Sequence, residues 1–185
     1  MPRPARKEDF PPAGIRRFLE PGPIVLLSSH WQGRDNIMTL GWHMMLGDDL
    51  VGTYIWSANR SHALARRSRE CVINLPTLAL LDTVVAIGNC SSDEGDKFER
   101  FGLTPVAGSA VDAPGIGECH ARFECRLHET RITADYPLFV WRLVAAHVAP
   151  RPKWPRTVHY RGDGQFMVSG QTVSRRRLFR PDMLD

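Results

Sequence analysis

The sequence lacks the features of a membrane-spanning, secreted or disulfide-stabilised protein. Its most apolar stretch, residues 78–87, is interrupted by Asp82 and is much shorter than the roughly 18 apolar residues of a membrane helix. Five basic residues lie among the first 18, but no apolar segment follows them to complete a signal peptide. The 4 cysteines include no CxxC pair, which favours free thiols. We therefore expect a cytoplasmic protein without a membrane span.

The motifs of several common enzyme classes are also missing. The sequence contains no GxxxxGK phosphate loop, no HExxH zinc motif, no GxSxG elbow and no GxGxxG turn after a strand. Cys119, His120 and Cys125 lie close together, but strand alternation would place both thiols on one face and the imidazole on the other. This pattern favours two buried thiols beside an exposed histidine over a metal site.

Length and charge set broad limits on the partner. A chain of 185 residues, 43% hydrophobic and 24% charged, can bury one core but is cramped for two domains. The net charge of +4 favours anionic partners such as phosphates without selecting one. Most of the positive charge lies near the termini and around residues 66–69, which makes nucleic acid an unfavoured partner. The bases of a nucleic acid would stack on the side chains of Trp31, Trp42, Trp56 or Phe166.

The order of apolar and turn-forming residues predicts a mainly β protein with inserted helices. We expect strands at residues 24–31, 36–45, 50–56, 71–75, 121–128 and 138–148, and a terminal hairpin that pairs 165–168 with 171–173. Helices are predicted from Asn59 for about ten residues, from Thr77 to Gly88, and at 96–101, with side-chain caps at Asn59 and Thr77. In the strand that begins at Ala121, alternation places Glu124 on the solvated face.

These elements predict an antiparallel β-barrel with helical excursions, which is an α+β arrangement in one domain. The domain is expected at residues 23–174, with ordered structure beginning at Ile24. A loose N-terminal arm would occupy residues 1–22, and a basic C-terminal tail residues 175–185.

The start of the first predicted helix has the composition of an anion site. The segment Ala58-Asn59-Arg60-Ser61-His62 places a guanidinium, a hydroxyl and an imidazole where free backbone N–H groups and the positive end of a helix collect. The alternative is a capping segment with a solvated arginine, which spacing alone favours. Lys97 could supply a mobile positive charge, although a lone surface lysine is usually only solvated.

A second candidate is the segment from Asn36 to Trp42. Its backbone amides and the hydroxyl of Thr39 could meet the polar edge of a planar ring, and Gly41 would allow close approach of the backbone. The alternative is an inner barrel strand with Trp42 in the core. Without further information, the residues favour this second interpretation.

Four short motifs occur in one order along the chain. They are an N-x-M-T-x-x-W strand at 36–42, an R-S-x helix start at 60–62, a V-x-N-x-P strand end at 72–76 and a D-K-F turn at 96–98. An A-P turn at 113–114 and an F-E-C strand segment at 123–125 follow. In this combination, the chain resembles the flavin reductase-like family of FMN-binding split barrels, which includes flavoredoxin-like proteins. The resemblance covers residues 23 to about 170.

The resemblance implies a homodimer with FMN near the subunit interface. The phosphate would be held by the residues that match Arg60, Ser61 and Lys97. The edge of the flavin ring would lie along Met38, Thr39, Leu40 and Gly41. The other residues implied in FMN binding are Asn36, Ala58, Asn59, His62 and Asn74.

The chain departs from the family pattern at three places. Relatives often carry serine where this chain has Gly41, a hydroxyl residue where it has His62, and a serine-glycine pair where it has residues 90–92. These changes bear on ring contacts and on access of the electron donor more than on FMN binding itself.

The activity implied by the resemblance is that of an NAD(P)H-dependent FMN reductase. The flavin would carry the hydride chemistry, so no catalytic acid or base is required from the chain. Because no dinucleotide fingerprint is present, nicotinamide would lie over the flavin only transiently. The alternative is an FMN-binding electron carrier that does not turn over NAD(P)H. The electron acceptor stays open among free flavin, a quinone, a metal complex, a disulfide and a partner oxygenase.

Overall fold

The computed structural model describes residues 3–11, 22–91, 95–129 and 136–184. Its strands pair in antiparallel fashion throughout. In chain order they are β1 (Glu8–Asp9), β2 (Val25–Trp31), β3 (Arg34–Leu40), β4 (His43–Met45), β5 (Leu50–Tyr54), β6 (Glu70–Leu75), β7 (Pro105–Val106), β8 (Gly115–Ile116), β9 (Ala121–Glu129), β10 (Leu138–Val148), β11 (Val158–Gly162) and β12 (Gln165–Val168).

One curled sheet forms the body of the protein. Its strand order is β3-β2-β6-β9-β10-β5-β4, and β1 adds a further pairing to β10. The pairs β7–β8 and β11–β12 form two small separate sheets. The predicted mainly β architecture with an antiparallel sheet is therefore confirmed.

Three α-helices are described: α1 (Arg60–Ser68), α2 (Leu81–Gly88) and α3 (Lys97–Arg100). A 3-10 turn at Leu78–Leu80 leads into α2, and two others, Arg176–Leu178 and Pro181–Met183, lie in the exposed C-terminal tail. Asn59 and Thr77 precede their helices as predicted, but neither side chain makes a capping hydrogen bond. Among the described helices, none combines the length and apolar character needed to cross a membrane.

Alternation along β2 builds a core on each side of the sheet. Val25 and Leu27 pack in a large cluster with Phe123 and Trp141. Ile24, just before β2, and Leu26 join a second cluster, which includes Val84 and Ile87 of α2 and Phe98 of α3. The second cluster fixes α2 and α3 against β2 and β3, which form one wall of the candidate site.

The single strand predicted at 36–45 is in fact two strands. β3 ends at Leu40 on one edge of the sheet, whereas β4 begins at His43 on the opposite edge. The chain crosses between the edges at Gly41 and Trp42. Trp42 is 71% exposed, so the interpretation that placed this residue in the core is wrong.

The predicted terminal hairpin has a different partner strand. β12 pairs with β11, not with residues 171–173. The turn between them has φ values of 95° at Gly162, 50° at Asp163 and 71° at Gly164. Glycine adopts this left-handed region without a steric penalty, which explains why the chain reverses here rather than at Ser169 and Gly170.

Three other expectations also fail. Ordered structure begins before Ile24, because β1 lies within the segment predicted to be a loose arm, although residues 12–21 of that segment lie outside the described chain. His120 is buried rather than exposed. Glu124 is also buried, where its carboxylate accepts hydrogen bonds from the backbone N–H groups of Ser109 and Ala110. Burial raises the pKa of Glu124, but the hydrogen bonds outweigh it and hold the pKa below its ordinary value.

Candidate functional site

Two adjoining clefts lie where β3, the start of α1 and the end of α2 meet. The larger, which we name the apolar cleft, has a volume of about 650 Å³, and the smaller, the polar cleft, about 350 Å³. Five residues line both: Met38 and Thr39 of β3, Asn59 before α1, and Gly88 and Asn89 at the end of α2. The clefts are therefore two parts of one depression, and together they reach the size range of ligand pockets.

The polar cleft lies at the N-terminus of α1. The first backbone N–H groups of a helix have no acceptor within the helix. Asn59, the residue before α1, has an extended backbone, and its side chain does not cap these groups. The lining includes Arg60 and Ser61, the first two residues of the helix. The first turn of α1 itself contains no acidic residue, so its own side chains do not oppose the binding of an anion at the positive end of the helix. The arrangement suits a phosphate or another small anion.

Asn36 sets the orientation of Ser61 from behind the cleft. Its Nδ2 donates a hydrogen bond of 2.9 Å to Oγ of Ser61, and both side chains are buried. As the acceptor of that bond, the Ser61 hydroxyl keeps its own hydrogen for donation to another group. Asn36 does not itself line either cleft.

Lys97 differs most from its expected environment. The residue is only 4% exposed, so it is not a solvated surface lysine, and it is among the residues that line the polar cleft. Nζ donates to the carbonyl oxygens of Ile37 and Cys90 at 2.9 Å each, and to that of Ile87 at 3.4 Å. One ammonium group thus ties β3 to the end of α2 and the loop that follows.

The apolar cleft follows β3 and passes onto the crossing segment. Its lining includes the four residues that the resemblance assigned to the edge of the flavin ring: Met38, Thr39, Leu40 and Gly41. Thr39 does not point its hydroxyl hydrogen at the cleft, however, because Oγ1 donates to the carbonyl oxygen of Val84 at 2.6 Å. At Gly41 a Cβ would lie 3.0 Å from the Ile24 Cδ1. The glycine thus lets the backbone pass close to that side chain.

Aromatic residues outside the predicted FMN-binding set complete the apolar cleft. Trp42 and Tyr54 are in ring contact, with centroids 5.2 Å apart, and both line the cleft. Tyr160 and Phe166 of the β11–β12 hairpin form a second pair at 5.0 Å, and they line it as well. The Asp163-Gly164 dipeptide is a strong signal for a hairpin between two strands, and it could have revealed this wall.

Two of the predicted site residues lie elsewhere. His62 points to the core, where its ring contacts Phe139 edge-on at a centroid distance of 5.2 Å. Burial, helped by the charge of Arg66, lowers the pKa of His62. Asn74 is fully buried, donates to the carbonyl oxygen of Leu26 and accepts from the backbone N–H of Ile116. Neither residue lines a cleft, whereas Ala58 lines the polar cleft as expected.

The cysteines and histidine considered as a metal site do not come together. Cys119 belongs to the core cluster beneath α2, and Cys125 to the cluster on the other side of the sheet. Within the described ranges, no three histidine, cysteine, aspartate or glutamate side chains are grouped to hold a metal ion. All 4 cysteines are free thiols, and Cys90 lines the polar cleft.

Comparison with known proteins matches most of the chain to one protein family. The sequence profile of the flavin reductase like domain matches residues 16–166. An uncharacterized protein of Archaeoglobus fulgidus is 34% identical over 113 residues, which are 60% of this chain and 64% of that protein. The chain therefore spans somewhat less than two thirds of this relative's length.

Two solved structures share the fold. An FMN-binding domain of a flavin reductases-like enzyme from Shewanella baltica superposes with a TM-score of 0.83 at 24% identity, over 92% of this chain and 97% of that one. Flavoredoxin of Desulfovibrio vulgaris gives 0.75 at 21% identity, over 84% and 90% of the two chains. The curled antiparallel sheet of this chain is thus the split barrel of these proteins.

Proposed function

This chain belongs to the flavin reductase-like family, and from this membership we propose that it binds FMN in the two adjoining clefts and acts as a flavin-dependent oxidoreductase. The observation that carries the proposal is the shared wall between the clefts. A cationic pocket at a helix start continues directly into a larger apolar cleft. That shape suits a molecule with a phosphate at one end and a planar ring system at the other.

The residues present fit the phosphate of FMN. Arg60 and Ser61 would bind it at the start of α1, with the Ser61 hydroxyl aimed by Asn36. Lys97 would add its charge from the floor of the polar cleft while holding the surrounding backbone in place. Charge-assisted hydrogen bonds of this kind are worth about 1.5–3 kcal/mol each, enough to dominate the preference for a phosphorylated flavin.

The ring system would lie along β3. Met38, Leu40 and Gly41 provide an apolar surface and backbone groups for its edge, and Thr39 holds β3 to α2 through its bond to Val84. FMN, when bound, supplies the hydride chemistry of the proposed reaction. The chain binds and orients the cofactor and keeps water from one face of its ring. His62 and Asn74 are not part of the proposed set, because neither lines a cleft.

NAD(P)H is the electron donor in the leading form of the proposal. Its nicotinamide would enter through the open apolar cleft and lie against the ring only during transfer. The family description, flavin reductase like domain, supports the reductase activity of this form. The second form, in which the chain holds FMN as an electron carrier for a redox partner, is the alternative, since the chain shares its fold with flavoredoxin.

A homodimer in the cytoplasm is part of the same proposal. β4 is an edge strand of the sheet, and the exposed side chains on or beside it are large and apolar: Trp42, Met44, Leu46 and Trp56. An unpaired edge with such a patch is a common site of contact between protein chains. A second copy placed there would stand next to the apolar cleft, which Trp42 and Trp56 also line.

An absorbance titration with FMN tests the proposal, followed by anaerobic addition of NADH and of NADPH in separate samples. We expect stoichiometric binding with a shifted flavin spectrum, and bleaching by at least one nucleotide. Binding without bleaching, but with reduction by dithionite, would favour the carrier. Failure to bind FMN at about micromolar concentration would refute both forms. The sedimentation coefficient of the same sample reports the oligomeric state.

A further inference from the structure

The basic C-terminal tail lines neither of the two clefts. Its described residues, 175–184, are exposed to solvent except Leu184, which is half-buried. Within the described chain, each hydrogen bond and ion pair that they make is to another residue of 174–184. None of them belongs to a core cluster. The tail is therefore not docked on the body of its own chain.

Large apolar side chains of the tail face solvent. Leu178 is 80% exposed, Phe179 55% and Met183 61%. Leaving such side chains in water forgoes the free energy gained when apolar surface is buried. Neighbouring exposed apolar groups therefore often mark a surface of contact with another molecule. The tail has the composition of a segment that docks elsewhere.

Positive charge accompanies these apolar side chains. Three consecutive arginines, Arg175, Arg176 and Arg177, precede Leu178, and all three are exposed. Arg180 lies further along the tail and pairs with Asp182 at 3.6 Å. A cluster of unpaired arginines favours contact with an acidic surface. The partner surface that fits the tail is thus both apolar and acidic.

The chain itself carries a surface of this kind at the edge strand β4. The exposed apolar side chains on or beside that strand form what we name the apolar edge patch: Trp42, Met44, Leu46 and Trp56. The turn between β4 and β5 contains Asp48 and Asp49. Asp49 pairs with Arg142, whereas the side chain of Asp48 has no hydrogen bond or ion pair with any other described residue. The patch and Asp48 complement the tail in both polarity and charge.

The shape of the tail favours a second copy of the chain over a membrane as its partner. A segment that lies on a membrane surface is typically an amphipathic helix with one continuous apolar face. The tail has instead two 3-10 turns of three residues each, Arg176–Leu178 and Pro181–Met183. A second copy presents both the tail and its complementary patch, so that a two-fold symmetric dimer would repeat the same contact twice.

We propose that the C-terminal tail of one copy packs on the apolar edge patch of a second copy. Leu178 and Phe179 cover the apolar side chains, and the arginines at 175–177 face Asp48. This inference rests on the homodimer of the proposed function and names the segment that holds its two chains together. Because Trp42 lines the apolar cleft as well, the docked tail lies at the edge of the partner's cleft.

Crosslinking of the full chain tests the contact. Ser174→Cys places a thiol at the start of the tail, and Gly47→Cys places one beside the patch, where an added Cβ would lie 4.0 Å from the Leu50 Cβ. A chain with both substitutions is treated with a short bismaleimide and separated on a denaturing gel. We expect a linked dimer in which position 174 of one copy is joined to position 47 of the other. Each single substitution should give no linked dimer, which also controls for the partly exposed thiol of Cys90.

Charge reversal tests the chemistry of the contact. Arg176→Glu with Arg177→Glu, added to the doubly substituted chain, should lower the linked fraction about fivefold or more, because the new carboxylates repel Asp48. A further Asp48→Arg substitution should restore the linked fraction to within about twofold of its original value. Arg3→Glu with Arg6→Glu reverses the same charge at exposed positions of the N-terminal arm. This matched control should change the linked fraction by less than about twofold.

Failure of this inference is distinguishable from failure of the proposed function. Absence of FMN binding overturns the proposed cofactor alone, since the tail contact depends only on the pairing of two chains. Sedimentation of the unaltered protein as a monomer overturns the homodimer and this inference together. A dimer without the 174–47 link, or a link found only within one chain at the monomer mass, overturns this inference alone. The same holds if charge reversal leaves the linked fraction unchanged, and binding of the unaltered tail to vesicles of anionic lipid would then assign it to a membrane surface.

Discussion

Asn36 and Ser61 are joined by a buried hydrogen bond of 2.9 Å between Nδ2 and Oγ. The bond links the edge strand β3 to the first turn of α1, and so connects the two elements that meet at the shared wall of the clefts. Ser61 lines the polar cleft, whereas Asn36 stands behind it. On the proposed function, Asn36 would therefore act on a bound phosphate through the orientation of Ser61.

Replacing Asn36 by leucine tests this indirect role. Asn36→Leu removes the donor to Ser61 and also a buried Oδ1 that has no hydrogen-bond partner among the described residues, so the free energy of unfolding should change little. The Kd for FMN should rise about two- to tenfold, because the hydroxyl is no longer held toward the phosphate. Fluorescence titration measures the Kd for FMN and the Kd for riboflavin. The Kd for riboflavin, which lacks the phosphate, should change much less.

A double-mutant cycle with Ser61→Ala provides the control. If Asn36 acts through Ser61, the effects of the two single substitutions on FMN affinity should be far from additive. Additive effects would show that Asn36 contributes by another route.

Lys97 should affect stability as well as affinity. Lys97→Met removes the donor that satisfies the buried carbonyls of Ile37 and Cys90. We expect the free energy of unfolding of the FMN-free protein to fall by about 1–3 kcal/mol, the usual cost of leaving such groups without partners. Urea unfolding measures the change. Arg60→Ala, at an exposed position, is the comparison and should leave stability nearly unchanged.

The same variants separate two roles for the lysine. A loss of FMN affinity in Lys97→Met with unaltered stability would mean that the ammonium serves only as a phosphate ligand. The contacts to three carbonyl oxygens would then have no energetic consequence, which would contradict the structural role assigned to Lys97.

Stability should depend on pH through a buried histidine. Burial, with a smaller contribution from the charge of Lys7, lowers the pKa of His120 from 6.5 to about 4. Between these values the unfolded chain binds a proton that the folded chain does not, so the free energy of unfolding falls as the pH is lowered. His120→Gln lacks this titration and should lose less stability between about pH 7 and pH 5 in urea unfolding. Equal losses would exclude His120 as the cause.

The sequence predicted those parts of the fold that depend on local patterns. The alternation of Phe123 and Cys125, the continuous apolar run of β10 and the glycine that ends α2 each correspond to an element with nearly the predicted bounds. The local pattern was sufficient to predict these elements, because the spacing of apolar residues along the chain indicates whether a segment is a strand or a helix. Met38 and Arg60, which the motifs singled out, both line the clefts.

Long-range pairing explains what the sequence did not predict. The break at Gly41 and Trp42 exists because β3 and β4 pair at opposite edges of the sheet, and no local pattern contains that information. A lone lysine at this position is expected to be solvated, yet the Nζ of Lys97 donates to carbonyl groups 60 and 7 residues away. Glu124 has the spacing of a solvated residue, but the loop at Ser109 covers it and supplies its donors.

The difference between FMN and riboflavin affinity tests most directly whether the polar cleft at the start of α1 holds the phosphate of FMN. It is measured by fluorescence titration for the unaltered protein, for Arg60→Ala combined with Ser61→Ala, and for Arg67→Ala, an exposed arginine on the same helix outside both clefts. We expect the double variant to lose FMN affinity by about tenfold or more while riboflavin affinity stays within about threefold, and Arg67→Ala to change neither. Equal losses for the two flavins, or no loss for FMN, would contradict the placement of the phosphate in the polar cleft.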